Sequence, residues 1–447
     1  MAQLVRIARW RPMPEGSALE KKRRLGMLTM FLDTLLMYFG YSVLVPLVAV
    51  HFAALPGFTA ASVGIVLAIR QMSQQGLDLM GGMIADRAGA RLAIATGCFI
   101  RAGGFLVMGF AASMPLLIAG AIISGLGGAF FDAATTASLA ELAPPEGRQR
   151  AYAIAATMSS IGLLLGPVAG VALLRMSWVA VGIGAAAIFA LTGIVTAALL
   201  PADTMRRAHP VLLEAANAPD HPASALHTLR LLAHDRVFLL LTVLTSGYWF
   251  LQAQLNITVP LASARLGGPR MVAVAYAIYA GSAILLQYPA MRYFGSRFSA
   301  RIVLVATVAL AGLGLGLTAG ASAIVTLVAG VTLFSLASLL INPMINWVTA
   351  ELAPKGQLGA YFGFGALAVA IGGGAGQVAG GMLYDLAARL HQPLVLAGTL
   401  ALVGLVSAAG LLRLRLNVGH VGTHATPELE SASAAEAVLM GEVSEPA

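Results

Sequence analysis

The chain contains 447 residues, of which 59% are hydrophobic and only 10% are charged, and its formal net charge is +8. Soluble proteins carry about 25% charged residues, so this composition excludes a single aqueous globule. The single cysteine, Cys98, excludes an intrachain disulfide framework and a cysteine-based metal site. Because the basic residues flank apolar segments, we expect a membrane protein without a nucleic-acid partner.

Twelve apolar segments are candidates for membrane-spanning helices, which need about 20 predominantly apolar residues each. A basic segment over 1–24 precedes the first of them. That first segment is too long for the apolar part of a signal peptide and contains Asp33, so we expect it to be retained. The predicted spans are 25–49, 60–82, 92–112, 115–138, 152–174, 178–200, 237–258, 271–291, 301–319, 323–347, 360–383 and 394–414. The sequence therefore predicts an all-α polytopic protein of the lipid bilayer.

A polar stretch over 201–236 divides the spans six and six. We expect an N-terminal six-helix bundle over 25–200, a cytoplasmic central loop over 201–236 and a C-terminal six-helix bundle over 237–414. The acidic tail over 415–447 has the composition of a disordered segment. With the N-terminus placed inside, most of the 27 Lys and Arg fall on cytoplasmic segments, so both termini are predicted to be cytoplasmic.

An internal repeat supports this division. The sequence Ala-Glu-Leu-Ala-Pro at Ala140–Pro144 recurs at Ala350–Pro354, an offset of 210 residues, and Asp132 aligns with Asn342 at the same offset. A ladder of glycines recurs with it, as Gly162, Gly166 and Gly170 in the first half and Gly372, Gly376 and Gly380 in the second. Two parallel six-helix repeats are a transporter architecture, in which the substrate site is expected between the halves near the bilayer midplane.

The loop between spans 2 and 3 combines glycines with charges at Gly82, Asp86, Arg87, Gly89 and Arg91. The glycines permit a tight turn. The aspartate can sit at a helix N-terminus or pair with an arginine, and the arginines can bind carboxylates. Such a cluster can latch two helix bundles on the cytoplasmic side. The alternative is an ordinary basic loop on the cytoplasmic face.

The first glycine ladder, Gly162, Gly166 and Gly170, lies on span 5 together with Pro167. The glycines give the helix a smooth face for close packing, while the proline frees a backbone carbonyl and bends the helix. The alternative is packing of small residues without a specific role.

These features together resemble the major facilitator superfamily over roughly 25–414. The charged loop resembles motif A of that superfamily, and the ladder with Pro167 resembles motif C, which is associated with its antiporters. A closer likeness, to its twelve-span multidrug transporters, is carried by 67–76, 101–105, 124–128 and 131–132. The resemblance implies the major facilitator fold, an inner (cytoplasmic) membrane location and drug:proton antiport.

The chain departs from the superfamily's pattern at two positions where an arginine is common, Ala90 in motif A and Ala121 on span 4. A carboxylate on span 4 would then have to pair with Arg87 or Arg91. We expect Asp132, near the inner end of span 4, to brace the motif A loop.

Charges inside the predicted spans are candidates for proton coupling, because a charge at the bilayer centre costs about 2.5–3.5 kcal/mol on insertion scales. Asp33 lies in span 1, and Arg70 and Asp78 share one face of span 2 with Gln74. We assign proton coupling to Asp33, Arg70 and Asp78. The alternative for Asp33 is a structural ion pair with Arg70 or Arg101, and we expect Arg101 to be a structural partner.

The second half offers polar and aromatic side chains without a charge well inside its spans. Such groups in an apolar cleft suit bulky, partly hydrophobic ligands, although a tyrosine can also act as an interfacial anchor. The predicted substrate-cavity residues are Tyr248, Gln252, Asn256, Tyr279, Gln287, Asn342 and Asn346.

We expect a secondary active transporter rather than an enzyme, because the chain has neither a zinc-protease motif nor a phosphate-binding loop. No cofactor or metal is expected, and the chain is expected to act as a monomer. The predicted function is proton-driven efflux of lipophilic small molecules by alternating access. The alternative is a carrier for one metabolite or an organic anion drawn to Arg70.

Overall fold

The computed structural model describes residues 18–143, 147–201, 235–353 and 358–414. Within these ranges the chain forms twelve α-helices and no β-strand, so the all-α fold class is confirmed. The basic segment over 1–17, most of the predicted central loop and the tail over 415–447 lie outside the described residues. The helices are α1 (Ala18–Phe52), α2 (Ala60–Ala88), α3 (Ala90–Gly109), α4 (Met114–Leu142), α5 (Arg148–Leu174), α6 (Trp178–Leu199), α7 (Arg236–Gln252), α8 (Thr258–Arg297), α9 (Ala300–Ala319), α10 (Ile324–Leu352), α11 (Leu358–Arg389) and α12 (Pro393–Arg413).

Each predicted span coincides with one of these helices. Ten segments of the described chain are long and apolar enough to cross a membrane, and one of them, Arg236–Phe294, contains both α7 and α8. Helix α2 is not among the ten, because Arg70, Gln71, Gln74 and Gln75 interrupt its apolar sequence. Polar groups at that depth have to be satisfied by other protein groups, so α2 is expected to face protein or a cavity.

Several helix ends follow from local side-chain chemistry. Ser177 caps α6 by accepting a hydrogen bond from the Ala180 backbone N–H (3.0 Å). Asp235 caps α7 through Phe238 N–H (3.0 Å) and also accepts from the Tyr361 hydroxyl (2.8 Å). These side chains satisfy backbone donors that the first helical turn leaves without a partner.

Two interruptions shape the second half. Helix α7 ends at Gln252 and continues as a 3₁₀ turn over Ala253–Leu255, so the predicted span 237–258 is not one continuous α-helix and Asn256 lies beyond the turn. Helix α8 contains non-helical backbone at Gly267 and Gly268, and the φ of 67° at Gly268 lies in the left-handed region that favours glycine.

The chain divides into two compact units: Met1–Leu44 with Ile69–His221, and Val45–Ala68 with Pro222–Ala447. In the first unit α3 packs against α4 and α6, and in the second α9 packs against α10 and α12. Both units contain a backbone approach through paired glycines, Gly109 with Gly182 on α3 and α6, and Gly312 with Gly404 on α9 and α12. The domain boundaries at 200 and 237 stay a prediction.

Candidate transport site

The first glycine ladder lies on α5 and packs against α1. A Cβ added at Gly162 would lie 2.6 Å from the Leu35 carbonyl oxygen, and one at Gly166 would lie 2.8 Å from that of Phe39. The Ser42 hydroxyl of α1 donates to the Gly162 carbonyl (3.0 Å). Gly170 and Pro167, which stands inside the helix, are buried on the same segment. The ladder therefore brings two helix backbones together.

The second glycine ladder does the same for α11 and α7. A Cβ added at Gly376 would lie 2.8 Å from the Phe250 Cα, so only glycine fits the approach. Gln254, in the 3₁₀ turn, is fully buried, donates to the Gly376 carbonyl (2.7 Å) and accepts from Thr258 (2.6 Å). Gln254 is not among the predicted site residues, because the helix break beside it is not evident from the sequence.

Asp33 is fully buried within the first unit, where α1 packs on α6. Its Oδ2 lies 2.7 Å from the Thr196 hydroxyl oxygen, and its Oδ1 has no hydrogen-bond partner among the described residues. Neither Arg70 nor Arg101 forms an ion pair with it within the described part of the chain. The carboxyl group is therefore held by one hydroxyl rather than by a cation.

A second polar cluster in the same unit is centred on Gln74, which sequence reasoning placed only on the stripe beside Arg70. The Gln74 Oε1 accepts from Arg70 Nη1 (3.1 Å) and from Arg101 Nη2 (2.9 Å). Its Nε2 donates to Asp132 Oδ2. We call these four residues the Gln74 cluster. It joins two buried arginines, exposed to only 5% and 3%, to one carboxylate through a neutral amide.

Aromatic rings complete the surroundings of both arginines. The Arg70 guanidinium lies 5.1 Å from the ring centre of Tyr41, and that of Arg101 lies 5.4 Å from the ring centre of Phe189. Arg101 also contacts the Met37 sulfur (3.7 Å). In each arginine the Nε has no hydrogen-bond partner among the described residues. Cation–π contacts compensate part of the desolvation of these charges.

The motif A residues are only partly described. The backbone of α2 runs through Asp78, Gly82, Asp86 and Arg87, but their side chains lie outside the described part of the structure. Gly89 alone separates α2 from α3, and its φ of 89° requires glycine.

Arg91 donates to the Ala197 carbonyl near the end of α6. Asp132 is held by Gln74, as described above, so the expected bracing of the motif A loop by Asp132 stays a prediction.

The second unit contains a chain of aromatic and amide groups. The Tyr248 hydroxyl donates to Gln252 Oε1 (3.0 Å), and Gln252 Nε2 donates to the Tyr279 hydroxyl oxygen (2.8 Å). The Tyr279 ring stacks on Phe334, with ring centres 5.8 Å apart and an interplanar angle of 18°. The structure thus brings together three of the predicted cavity residues, Tyr248, Gln252 and Tyr279.

The remaining predicted cavity residues lie elsewhere in the unit. Asn256 accepts a long hydrogen bond from Tyr276 (3.3 Å), whose hydroxyl also donates to the Leu255 carbonyl (2.7 Å). Gln287 is part-exposed on α8, and Asn342 and Asn346 are exposed on α10. No group of three or more His, Cys, Asp or Glu residues that could hold a metal ion occurs in the described part of the chain.

The fold and these buried polar groups define a polytopic helical membrane transporter. The family model of the Major Facilitator Superfamily matches residues 30–292. Multidrug resistance protein MdtH of Yersinia pestis (strain Pestoides F) is 34% identical over 390 residues, which is 87% of this chain and 94% of that protein. MdtH of Yersinia pseudotuberculosis serotype O:1b matches equally well. The chain belongs to the major facilitator superfamily, and the likeness to its multidrug resistance members is confirmed.

Solved structures show the same fold at low sequence identity. The nucleoside transporter NupG aligns with a TM-score of 0.73 at 14% identity, over 87% of this chain and 99% of that chain. A POT family transporter in complex with 5-aminolevulinic acid aligns with a TM-score of 0.70 at 15% identity, over 87% and 95% of the two chains. These likenesses show the fold, and the family match identifies the protein as a membrane-embedded transporter of small molecules.

Proposed function

We propose that the protein exports lipophilic small molecules by alternating access, driven by proton entry, and that Asp33 carries the coupling proton. The observation that carries this proposal is the environment of Asp33, which is fully buried, has no ion-pair partner among the described residues and is held by a single hydroxyl. The 34% identity to a multidrug resistance protein supports the export of drug-like compounds.

A buried carboxyl without a cation suits proton carriage for a physical reason. An ionised carboxylate inside a membrane protein is costly unless it is paired, whereas the protonated form is neutral. A proton moving inward through 100 mV releases about 2.3 kcal/mol, in addition to the pH gradient. If binding of the proton and binding of the substrate exclude each other, this free energy drives export.

The second unit supports a lipophilic substrate. Its chain of Tyr248, Gln252 and Tyr279 is neutral, and the Tyr279 ring is backed by the buried Phe334. Tyr248 is also fully buried, so Gln252 and Tyr279 are the partly exposed members of the chain. Aromatic and amide groups of this kind bind bulky compounds with few directional contacts. We further propose a monomer in the inner membrane with both termini in the cytoplasm, which is the orientation that the distribution of Lys and Arg favours.

The test is transport in proteoliposomes under an imposed pH gradient, with lipophilic cations, neutral drugs and organic acids as substrates. Wild type is expected to move several unlike compounds together with protons, and Asp33→Asn to lose proton-driven transport while still inserting. Glu351→Gln is the matched control, since Glu351 is an exposed carboxylate at the end of α10. Full coupling in Asp33→Asn would refute Asp33 as the proton carrier.

The Gln74 cluster favours one alternative, a carrier for a single metabolite or an organic anion. Two buried arginines face one carboxylate there, and the Nε of each arginine is without a partner among the described residues. The same panel of compounds tests it. Transport of one organic acid alone, lost in Arg70→Gln, would replace multidrug export with this function.

A further inference from the structure

The Thr196 hydroxyl oxygen lies between two oxygen atoms that accept hydrogen bonds. It is 2.7 Å from Asp33 Oδ2 on α1 and 2.9 Å from the Thr192 carbonyl oxygen one turn earlier on α6. All three residues are buried, and the side chains of Thr196 and Asp33 are not exposed at all. Because bulk water does not reach these side chains, their hydrogen bonds have to form among the three residues.

The number of available hydrogens decides which protonation state of Asp33 fits this arrangement better. A threonine hydroxyl has one hydrogen to donate and can accept through its oxygen. With Asp33 ionised, this one hydrogen would be shared between the Asp33 carboxylate and the Thr192 carbonyl, so the two acceptors would compete for it. With Asp33 protonated, its O–H donates to Thr196 and Thr196 donates to Thr192, so both contacts are hydrogen bonds.

The surroundings of the other carboxyl oxygen, Oδ1, also favour the protonated form of Asp33. Oδ1 of Asp33 has no hydrogen-bond partner among the described residues. A buried carboxylate left with an unsatisfied oxygen is costly, whereas the carbonyl oxygen of a neutral acid tolerates this more easily. The arrangement therefore favours the proton-loaded carboxyl group, in which each short contact has a hydrogen of its own.

We propose that Thr196 is a positioning residue for the coupling proton and exchanges donor and acceptor roles as Asp33 loads and releases it. This inference rests on the proposed role of Asp33. In the loaded state Thr196 accepts from Asp33 and donates to the Thr192 carbonyl. When the proton leaves as H⁺, the Thr196 O–H rotates and donates to the carboxylate. No heavy atom has to move, so both states fit one packing arrangement.

The charged and titratable groups nearby belong to neighbouring helices. On α3, Cys98 lies one turn before Arg101, and Arg101 contacts Met37, which lies one turn beyond Asp33 on α1. Arg70 of α2 lies over Tyr41, two turns along α1. Among the described residues none of these groups is hydrogen-bonded to the Asp33 carboxyl, which leaves Thr196 as its direct partner.

The test compares Thr196→Val with Thr196→Ser and with Thr318→Val. Valine keeps the shape and removes the hydroxyl, whereas serine keeps the hydroxyl. Thr318→Val is the matched control in the second unit, because the Thr318 hydroxyl donates to the Gly314 carbonyl of its own helix (2.8 Å) and is equally buried. The readouts are the pH profile of proton-driven transport and the infrared C=O band of protonated Asp33, identified by its loss in Asp33→Asn.

Loss of a hydrogen bond to a charged group costs more than loss of one to a neutral group. Thr196→Val is therefore expected to impair proton release and to move the midpoint of the pH profile to the alkaline side by about one unit, a tenfold change. The infrared band is expected to shift as well. Thr196→Ser should restore both, and Thr318→Val should leave both as in wild type.

The outcomes separate this inference from the proposed function. Proton coupling that survives in Asp33→Asn would overturn the role of Asp33 itself. Loss of coupling in Asp33→Asn together with a wild-type profile and band in Thr196→Val would overturn the role of Thr196 alone. If Thr196→Val fails to insert, Thr196→Ala removes the same hydroxyl with less bulk and is judged by the same criteria.

Discussion

Replacing Gln74 with leucine tests whether the Gln74 cluster holds the first unit together. Leucine is similar in size but neither donates nor accepts a hydrogen bond. The substitution removes the acceptor shared by Arg70 and Arg101 and the donor to Asp132, so three hydrogen bonds to charged groups are lost at once. The contacts of the arginines with Tyr41 and Phe189 are retained.

The magnitude follows from these three bonds. Hydrogen bonds between membrane helices contribute about 0.6 kcal/mol on average and up to about 1.7 kcal/mol, and bonds to charged groups lie at the upper end. Taking about 1 kcal/mol for each gives a loss of about 3 kcal/mol in the free energy of local opening, which corresponds to a change of about 100-fold in the population of the open form.

The protein carries its own probe for this opening. Cys98 is the only cysteine of the chain, is buried, and precedes Arg101 by one turn on α3. The rate at which a membrane-permeant maleimide labels Cys98 in the purified protein reports how often this region opens. We expect Gln74→Leu to be labelled about 100-fold faster than wild type if labelling follows the population of the open form.

The neighbouring residue supplies the control. Gln75 lies on the same helix, and its Oε1 is buried without a hydrogen-bond partner among the described residues, so Gln75→Leu removes no hydrogen bond that this oxygen accepts there. Labelling of Cys98 in Gln75→Leu is expected to stay close to the wild-type rate. Equal rates in Gln74→Leu and Gln75→Leu would refute the reasoning, because the cluster would then contribute nothing to stability.

Two further predictions concern packing and helix ends. Gly166→Val would place a side chain against Ser42 and is expected to lower the thermal stability in detergent. A Cβ at Gly103 meets nothing within 4 Å, so Gly103→Ala is expected to raise the stability slightly through its higher helix propensity. Equal melting temperatures of the two variants would contradict this prediction. The Asp385 carboxylate accepts hydrogen bonds from the backbone N–H groups of Ala60 (3.0 Å) and Ala61 (2.8 Å) at the start of α2. Asp385→Ala removes this cap, so amide hydrogen exchange in the first turn of α2 is expected to become faster by a factor corresponding to about 1 kcal/mol. Unchanged exchange would show that the cap is dispensable.

The helices could be predicted because each is encoded locally, by an apolar run of membrane length with a break on either side. The close approach at Gly162 and Gly376 was predictable for the same reason, since an i, i+4 ladder of glycines leaves a helix face without side chains. The break after Gln252 was not. The predicted span 237–258 runs through Asn256, whereas the side chain of Gln254, in the 3₁₀ turn, donates to the Gly376 carbonyl of a helix distant in sequence.

The partners of the buried charges were beyond the sequence for a different reason. Asp33 and Thr196 are separated by 163 positions, and nothing local marks one threonine of α6 as the partner of the carboxyl group. Likewise, the charges at Arg70 and Arg101 suggested ion pairs, whereas an amide, Gln74, mediates between them. Which polar group meets which is decided by how helices pack, and that information is not contained in spacing along one chain.

The buried charged side chains of the described structure, Asp33, Arg70 and Arg101, all belong to the first unit, whereas the buried polar side chains of the second unit are neutral. The aligned pair Asp132 and Asn342 shows the same divergence between the repeats. The two repeats thus differ in electrostatics although they share one helical plan. Exchanging one neutral side chain for another in the second unit would change its shape and hydrogen bonding and leave the buried charges of the first unit as they are.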